Sequence, residues 1–161
     1  MIVANDAPLW SDVPTFGECA PGVDYRDRPG AYALLFDANG RMAVMVTPRG
    51  HYLPGGGCDP DESREAALRR EVREECGLTC RHVRHLGDAD EYVHAPAEAA
   101  WFRKRGAFFA VTAGEATATD TEADHRLHWM SPADAAARLS HGSQRYAVRR
   151  WIDAHDPARP G

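Results

Sequence analysis

Short apolar runs along the chain predict strands on both sides of one helical stretch. Residues 31–36 (AYALLF) are typical of a buried strand, and residues 41–47 (RMAVMVT) predict its hairpin partner after the turn at 37–40. Further runs predict strands at 81–86, 90–93, 105–112 and 127–130. The first 30 residues contain four prolines, so we expect an extended and irregular segment there.

Three stretches have the composition of helices. Residues 63–76 are rich in Ala, Leu, Glu and Arg and lack Gly and Pro, with Ser63 as N-cap and Gly77 as C-cap residue. Ser131-Pro132 predicts the start of a second helix, and residues 143–154 predict a third. This order of strands, central helix, strands and C-terminal helices predicts a mixed sheet with helices packed on it.

Composition and charge narrow the class of protein. The chain has 161 residues, 43% hydrophobic and 27% charged, as expected for one globular domain. Its formal net charge of -5 argues against a broad basic surface for a nucleic-acid polymer. With no apolar run near the roughly 20 residues of a membrane span and no signal-like start, we expect a cytoplasmic protein without a membrane partner. The four cysteines suit reduced thiols better than a disulfide framework or a zinc site.

The central helix carries a cluster of acidic residues. At about 100° per residue, Glu71, Glu74 and Glu75 fall within roughly a third of the helix circumference. A separate apolar stripe is expected to face the core: Leu68, Val72 and Cys76. The cluster has two explanations, a solvated charged face or a hard divalent cation held by oxygen ligands. The helix alone favours the solvated face, because charged helix faces are common.

The loop before the helix favours the cation. Gly55-Gly56-Gly57, for which we expect no regular structure, lets the backbone approach a ligand closely. The full pattern is Gly56, five residues, Glu62, seven residues, Arg70-Glu71-Val72, one residue, Glu74-Glu75, one residue, Gly77-Leu78. At every fixed position, residues 56–78 resemble the Nudix box, G-x5-E-x7-R-E-U-x-E-E-x-G-U with U aliphatic. A chance match is on the order of one in ten million.

The resemblance implies a Nudix fold, in which a mixed β-sheet is sandwiched between helices (α/β/α) and the box forms a loop, a helix and a loop. We expect one such domain over residues 1–161. The implied enzyme is a pyrophosphohydrolase that cleaves the diphosphate linkage of a nucleoside diphosphate-X molecule, such as a nucleoside triphosphate or a nucleotide sugar. The implied cofactor is Mg²⁺, with Mn²⁺ as a substitute. The chain could also form a homodimer. Residues 1–30 would either cover the active site or form the dimer contact.

Roles for individual residues follow from the same resemblance. Glu71 and Glu75 are the strongest metal-ligand candidates, then Glu74, with the Gly55 carbonyl as an additional ligand. Arg70 would hold one of these glutamates through a charge-assisted hydrogen bond. Glu62 either does likewise or serves as a charge partner for the N-terminus of the helix.

The general base and the substrate contacts are less defined. The base is either a box glutamate or an acid of the later loop, Glu122 or Asp124, and we favour Glu122, although both could be solvated loop acids. The candidate catalytic set is then Arg70, Glu71, Glu74 and Glu122. Arg49, Gly55 and Gly56 are the candidate substrate contacts. Residues 103–105 (RKR) either bind distal phosphates or form a solvated turn, and we favour the turn.

Aromatic residues and competing functions complete the hypotheses. Four aromatic side chains either stack a base or belong to the core: Tyr92, Trp101, Phe102 and Phe109. A Nudix-fold sensor that binds without cleaving is the main alternative, although the intact box favours catalysis. A Nudix isomerase would need a positioned cysteine, and we see no such role for Cys58, Cys76 or Cys80 beside the box.

Overall fold

The structure is a computed structural model that describes residues 7–118, 120–121 and 124–159. Within these residues, eight strands form one mixed sheet and three α-helices pack on it, which confirms the predicted α/β/α fold. The strands are β1 (Thr15–Phe16), β2 (Tyr25–Phe36), β3 (Met42–Thr47), β4 (Gly50–Tyr52), β5 (Gly55–Gly57), β6 (Leu78–Ala95), β7 (Ala100–Ala116) and β8 (Arg126–Met130). The helices are α1 (Arg64–Cys76), α2 (Pro132–Arg138) and α3 (Gly142–Ala154). No helix in this described part is long and apolar enough to cross a membrane.

The strand order creates a cleft beside the central strand. Neighbouring strands run β1-β6-β7-β2-β3-β4, while β5 also pairs with β2 and β8 with β3. β2 lies parallel to β7 from Tyr25 to Phe36, but in the described register it meets β3 at Phe36 and Met42, next to their shared turn. Farther from the turn, β5 pairs with β2 and β4 pairs with β3. The sheet therefore divides between these two pairs of strands.

Alternation along the strands produces two hydrophobic cores. Tyr32 of β2 lies with Phe108 of β7 in the core beneath α2 and α3. Ala33, the next residue, lies in the core that contains Leu68 and Val72 of α1. Successive strand side chains point to opposite faces, so the two helical layers lie on opposite faces of the sheet. Leu68 and Val72 of the predicted apolar stripe are fully buried, and its third member, Cys76, is partly buried against the same core.

The ends of α1 are fixed by the capping residues that the sequence indicates. Ser63 Oγ accepts a hydrogen bond from the Ala66 N–H at 3.1 Å. Gly77 ends the helix in the left-handed conformation, with φ of 65°, and its N–H donates to the Arg73 carbonyl at 2.9 Å. Arg64, the first helical residue, donates to the backbone carbonyls of β2 and β7. These contacts set the position of α1 on the sheet.

Several of the predicted irregular segments are strands. β2 begins at Tyr25, because its first half pairs with β7, so residues 1–30 are not irregular throughout. β6 is one strand where two were expected: the Trp10 ring packs on Gly87, and the ladder shifts register there instead of ending. Gly55–Gly57 is not irregular either, because it pairs with β2 as β5.

We predict that Leu68→Ala lowers the free energy of unfolding by about 2–5 kcal/mol, because it leaves a cavity in the core between α1 and the sheet. Chemical denaturation measures the loss. Arg73→Ala, an exposed position on the same helix, should cost less than about 1 kcal/mol. Equal losses for the two variants would contradict this packing.

Candidate active site

Arg70 on α1 joins the acidic residues of the motif to the glycine strand. Its Nε and Nη2 donate to Glu62 Oε2 and Oε1, each at 2.9 Å. Its Nη1 donates to Glu71 Oε1 at 2.9 Å and to Glu74 Oε2 at 3.3 Å. Nη2 also donates to the Gly57 carbonyl at 3.0 Å. One guanidinium therefore holds the helix, the preceding loop and β5 together.

The pair between Arg70 and Glu62 has the two-pronged geometry of a strong charge-assisted contact. The hydrogen bonds from Arg70, followed by one from the Asp59 N–H, lower the pKa of Glu62 to about 2. The contact with Glu62 likewise raises the pKa of Arg70. This geometry supports a positioning role for Glu62, although it contacts Arg70 and not a box glutamate: it holds the guanidinium that binds Glu71 and Glu74.

Glu71 lies directly against the backbone of β5. A Cβ atom added at Gly56 would lie 2.7 Å from Glu71 Oε1 and 3.1 Å from Oε2, so the carboxylate would have to shift to make room for it. The Glu71 side chain is 16% exposed, so the carboxylate is partly shielded from water. Glycine at position 56 is thus what allows this carboxylate to approach the strand.

The register of β5 determines where its carbonyl groups point. Ala33 N–H donates to the Pro54 carbonyl at one end, and Cys58 N–H donates to the Pro29 carbonyl at the other. Antiparallel pairing alternates, so the carbonyls of Gly55 and Gly57 turn away from β2. Arg70 takes the Gly57 carbonyl, and Gly55 lines the cavity between the divided strands.

A cavity of about 700 Å³ occupies the division of the sheet. Met45 and Thr47 of β3 and Tyr52 of β4 line it on one side. Four of the predicted site residues also line it: Arg49, Gly55, Gly56 and Glu75. The cavity therefore gathers the candidate substrate contacts around one of the box carboxylates, while Glu71 lies behind Gly56 and Glu74 is about half exposed.

The cavity continues along the sheet face opposite α1, where two side-chain pairs, Arg28–Glu98 and Glu91–His141, contribute Arg28, Glu98 and His141 to its wall. Arg28 forms two hydrogen bonds with Glu98, at 2.9 and 2.6 Å, and its guanidinium carbon lies 3.6 Å from the centre of the Phe102 ring. Glu91 pairs with His141 Nδ1 at 2.5 Å and accepts the N–H of Ser143, in the first turn of α3, at 2.8 Å.

Sequence reasoning missed most of this wall. Arg28, His141 and Gln144 belong to no motif, and only the tertiary fold brings them together. The interpretation of residues 103–105 as a turn is wrong: they lie within β7, where Arg103 binds Asp90 at 2.8 Å while Lys104 lines the cavity. One signal was present in the sequence, because Lys104 is its only lysine.

The described candidates for the general base and for base stacking lie in different parts of the structure, and of the four aromatic candidates Phe102 lines the cavity. Glu122 lies outside the described residues, and Asp124 is exposed, so the identity of the general base stays a prediction. Phe109 is buried in the core beside α1, while Tyr92 and Trp101 pack against Tyr25.

The carboxylates of Glu71 and Glu75 offer the hard oxygen donors that Mg²⁺ prefers. Across the described part of the chain, no three His, Cys, Asp or Glu side chains are grouped so as to hold a metal by themselves. Mg²⁺ keeps several waters and takes substrate phosphate oxygens, so it needs few protein ligands. Glu71, Glu75 and the Gly55 carbonyl would supply oxygen ligands at one end of the cavity. One Arg70 cannot neutralise the carboxylates gathered around it, which favours a cation.

Comparisons with known proteins identify a family for the chain and several structures that share its fold. A family model described as the NUDIX domain matches residues 26–152. A MutT structure from a study of Aliivibrio salmonicida and Vibrio cholerae is 20% identical with a TM-score of 0.60, covering 79% of this chain and 98% of that one. Bacillus halodurans MutT is 17% identical, with a TM-score of 0.62 over 76% and 80%. A C. elegans Ap4A hydrolase is 17% identical, with a TM-score of 0.56 over 77% and 94%. At these identities the likeness is one of fold.

We predict that Gly56→Ala weakens binding of Mg²⁺ or Mn²⁺ at least about tenfold, because the new Cβ displaces the Glu71 carboxylate. Isothermal titration calorimetry measures the affinity. Gly57→Ala is the matched control, since its Cβ would have no neighbour closer than 3.8 Å. Equal affinities in the two variants would show that the position of Glu71 against β5 is irrelevant to metal binding.

We also predict that Arg70→Met returns the pKa of Glu62 from about 2 towards its ordinary value of 4.5. Because folding lowers this pKa, the stabilisation is complete above about 4.5 and is lost as pH falls through about 2. Carboxyl ¹³C NMR titration measures the midpoint. Between about pH 2 and pH 4.5, the free energy of unfolding of the wild type should fall more steeply with decreasing pH than that of Arg70→Met. Arg69→Met, which breaks the neighbouring pair with Glu65, should leave the Glu62 midpoint in place.

Proposed function

The chain belongs to the Nudix family of pyrophosphohydrolases, and we propose that it is a Mg²⁺-dependent enzyme that hydrolyses the diphosphate linkage of a nucleoside diphosphate-X substrate. The family match over residues 26–152 covers most of the chain and includes the whole box. An intact box supports catalysis over silent binding. The MutT and Ap4A hydrolase structures that share the fold support a nucleotide as part of the substrate.

One observation carries the proposal. Glu75 borders the same cavity as Gly55 and Gly56, while Glu71 lies against Gly56 and is fixed there by Arg70. Acidic oxygens and a glycine backbone thus meet where a diphosphate could enter. On a solvated charged helix face, the carboxylates would point into bulk water instead of lying against a strand, as Glu71 does, or lining a cavity, as Glu75 does.

The residues have separable tasks in the reaction. Bound Mg²⁺ would neutralise phosphate charge, polarise a phosphoryl oxygen and lower the pKa of water. Arg70 keeps Glu71 and Glu74 in place, so that the carboxylates need not reorganise when substrate arrives. The backbone of Gly55 and Gly56 lets the diphosphate approach closely, and Arg49 binds a phosphate at the cavity wall. A box glutamate, or Glu122 or Asp124 of the later loop, accepts the proton of the attacking water.

The thiols argue against the isomerase alternative. Burial raises the pKa of Cys76 to about 12, and it also raises the pKa values of Cys58 and Cys80. These groups stay protonated near neutral pH, whereas cysteine chemistry requires an accessible thiolate. The sensor hypothesis predicts tight binding without turnover, so the activity assay separates it from the hydrolase.

We predict that Glu75→Gln and Glu71→Gln each lower turnover by at least about a hundredfold, because each removes a charged ligand at the reacting phosphate. Phosphate release should be measured with Mg²⁺ over a panel of nucleoside di- and triphosphates, dinucleoside polyphosphates and nucleotide sugars.

Glu65→Gln is the matched control, because Glu65 lies on the same helix and pairs with Arg69 at 2.9 Å. It should retain near wild-type turnover. If the wild type binds panel members tightly but hydrolyses none of them, the sensor hypothesis replaces the hydrolase.

A further inference from the structure

Lys104 is the one lysine in a sequence with eighteen arginines. It lies in β7, where its register partners are Arg28 on β2 and Glu91 on β6. By strand alternation it shares the sheet face of Phe108, opposite α1. The fold therefore places this single ammonium group in the cavity and on the other side of the sheet from the box helix.

The charged groups beside Lys104 are engaged with other partners. Arg28 is held by Glu98 through two hydrogen bonds. Glu91 is buried and bound by His141 at 2.5 Å, and it also accepts the N–H of Ser143 at 2.8 Å. Within the residues that the structure describes, Lys104 has no carboxylate within the 4.0 Å of an ion pair.

The surroundings of Lys104 make that arrangement costly. The side chain is half-buried, and burial lowers its pKa by more than the attraction of Glu91 and Glu98 raises it. A cation withdrawn from water without an ion pair is unfavourable, and a bound anion removes the penalty. Lysine also suits phosphate recognition, because its ammonium acts as a compact point charge with three donors.

We propose that Lys104 is a specificity-determining residue, whose ammonium group binds an anionic group on the part of the substrate remote from the hydrolysed linkage. The anion is a phosphate or a carboxylate. This inference rests on the proposed function, because the anion is taken to be part of the substrate that the enzyme hydrolyses.

The arrangement of charges in the cavity supports this direction of binding. Glu75 and the glycine strand lie at one end, where the diphosphate would be cleaved. Lys104 and Phe102 belong to the opposite face of the sheet, with the Arg28–Glu98 pair beside them. A substrate that spans the cavity would bring its group X or its terminal phosphate to Lys104. Substrates with a neutral group there would leave the ammonium unpaired and should bind less well.

Because Lys104 is unique, amine chemistry reports on it without a variant. Acetic anhydride should acetylate Lys104 and the α-amine, and peptide mass spectrometry gives the two rates separately, with the α-amine as internal reference. In metal-free buffer, inorganic tripolyphosphate should slow acetylation of Lys104 several-fold and leave the α-amine rate unchanged. Adenosine, which has no charge, should slow neither.

A kinetic comparison of the wild type with Lys104→Met identifies the anion. ATP and ADP differ by a phosphate, and UDP-glucuronate and UDP-glucose differ by a carboxylate. If the site binds phosphate, the variant should lose about tenfold in kcat/KM for ATP relative to ADP. If it binds carboxylate, that loss falls on UDP-glucuronate relative to UDP-glucose. Arg81→Met, which removes one charge at an exposed position of β6, should change neither ratio.

The outcomes separate this inference from the proposed function. Hydrolysis with unchanged ratios, together with no protection of Lys104 by tripolyphosphate or by any charged nucleotide of the two pairs, overturns the role of Lys104 and leaves the hydrolase intact. Protection of Lys104 without hydrolysis of any compound overturns the hydrolase and leaves the anion site. A Lys104→Met protein that does not fold leaves the acetylation experiment to decide.

Discussion

The contacts of the Arg70 guanidinium are the constraint on which the candidate site depends. It binds Glu62 in the preceding loop, Glu71 and Glu74 on its own helix, and the Gly57 carbonyl in β5. Three carboxylates that would repel one another are thereby held around one cation. The same side chain also fixes the distance between α1 and the glycine strand. Arg70 therefore both balances the charge of the carboxylates and positions them relative to β5.

The division of the sheet explains why this cluster faces a cavity and not bulk solvent. β2 pairs with β7 along its whole length, whereas its described pairing with β3 is confined to Phe36 and Met42 beside their shared turn. The glycine segment instead pairs with the edge of β2 and becomes a strand. Since glycine has no Cβ, Glu71 can approach β5 closely, next to the end of the cavity that Gly55, Gly56 and Glu75 line. Gly56 is therefore the residue at which the close approach of Glu71 and the opening of the cavity are both possible.

Local and long-range features differ in how far they could be predicted. The helix, its Ser63 and Gly77 caps and the spacing of the glutamates depend on neighbours within a few residues, so the pattern alone indicates them. The strand at Gly55–Gly57 could not be inferred, because glycine has poor strand propensity and pairing with β2 decides its structure. The far wall of the cavity depends on residues more than 100 positions apart, such as Arg28 and His141, which no spacing rule connects.

The described charged side chains in and beside the cavity differ in whether they have a partner. Arg28 of the cavity wall is paired with Glu98, and His141 is hydrogen-bonded to the buried Glu91, so these side chains mainly fix the shape of the wall. Lys104 lies between the two pairs in the strand register. A side chain that only supported the fold would gain more by joining one of them, as Arg103 does with Asp90 on the other face. The separation of the ammonium from nearby carboxylates is therefore better explained by a ligand than by stability.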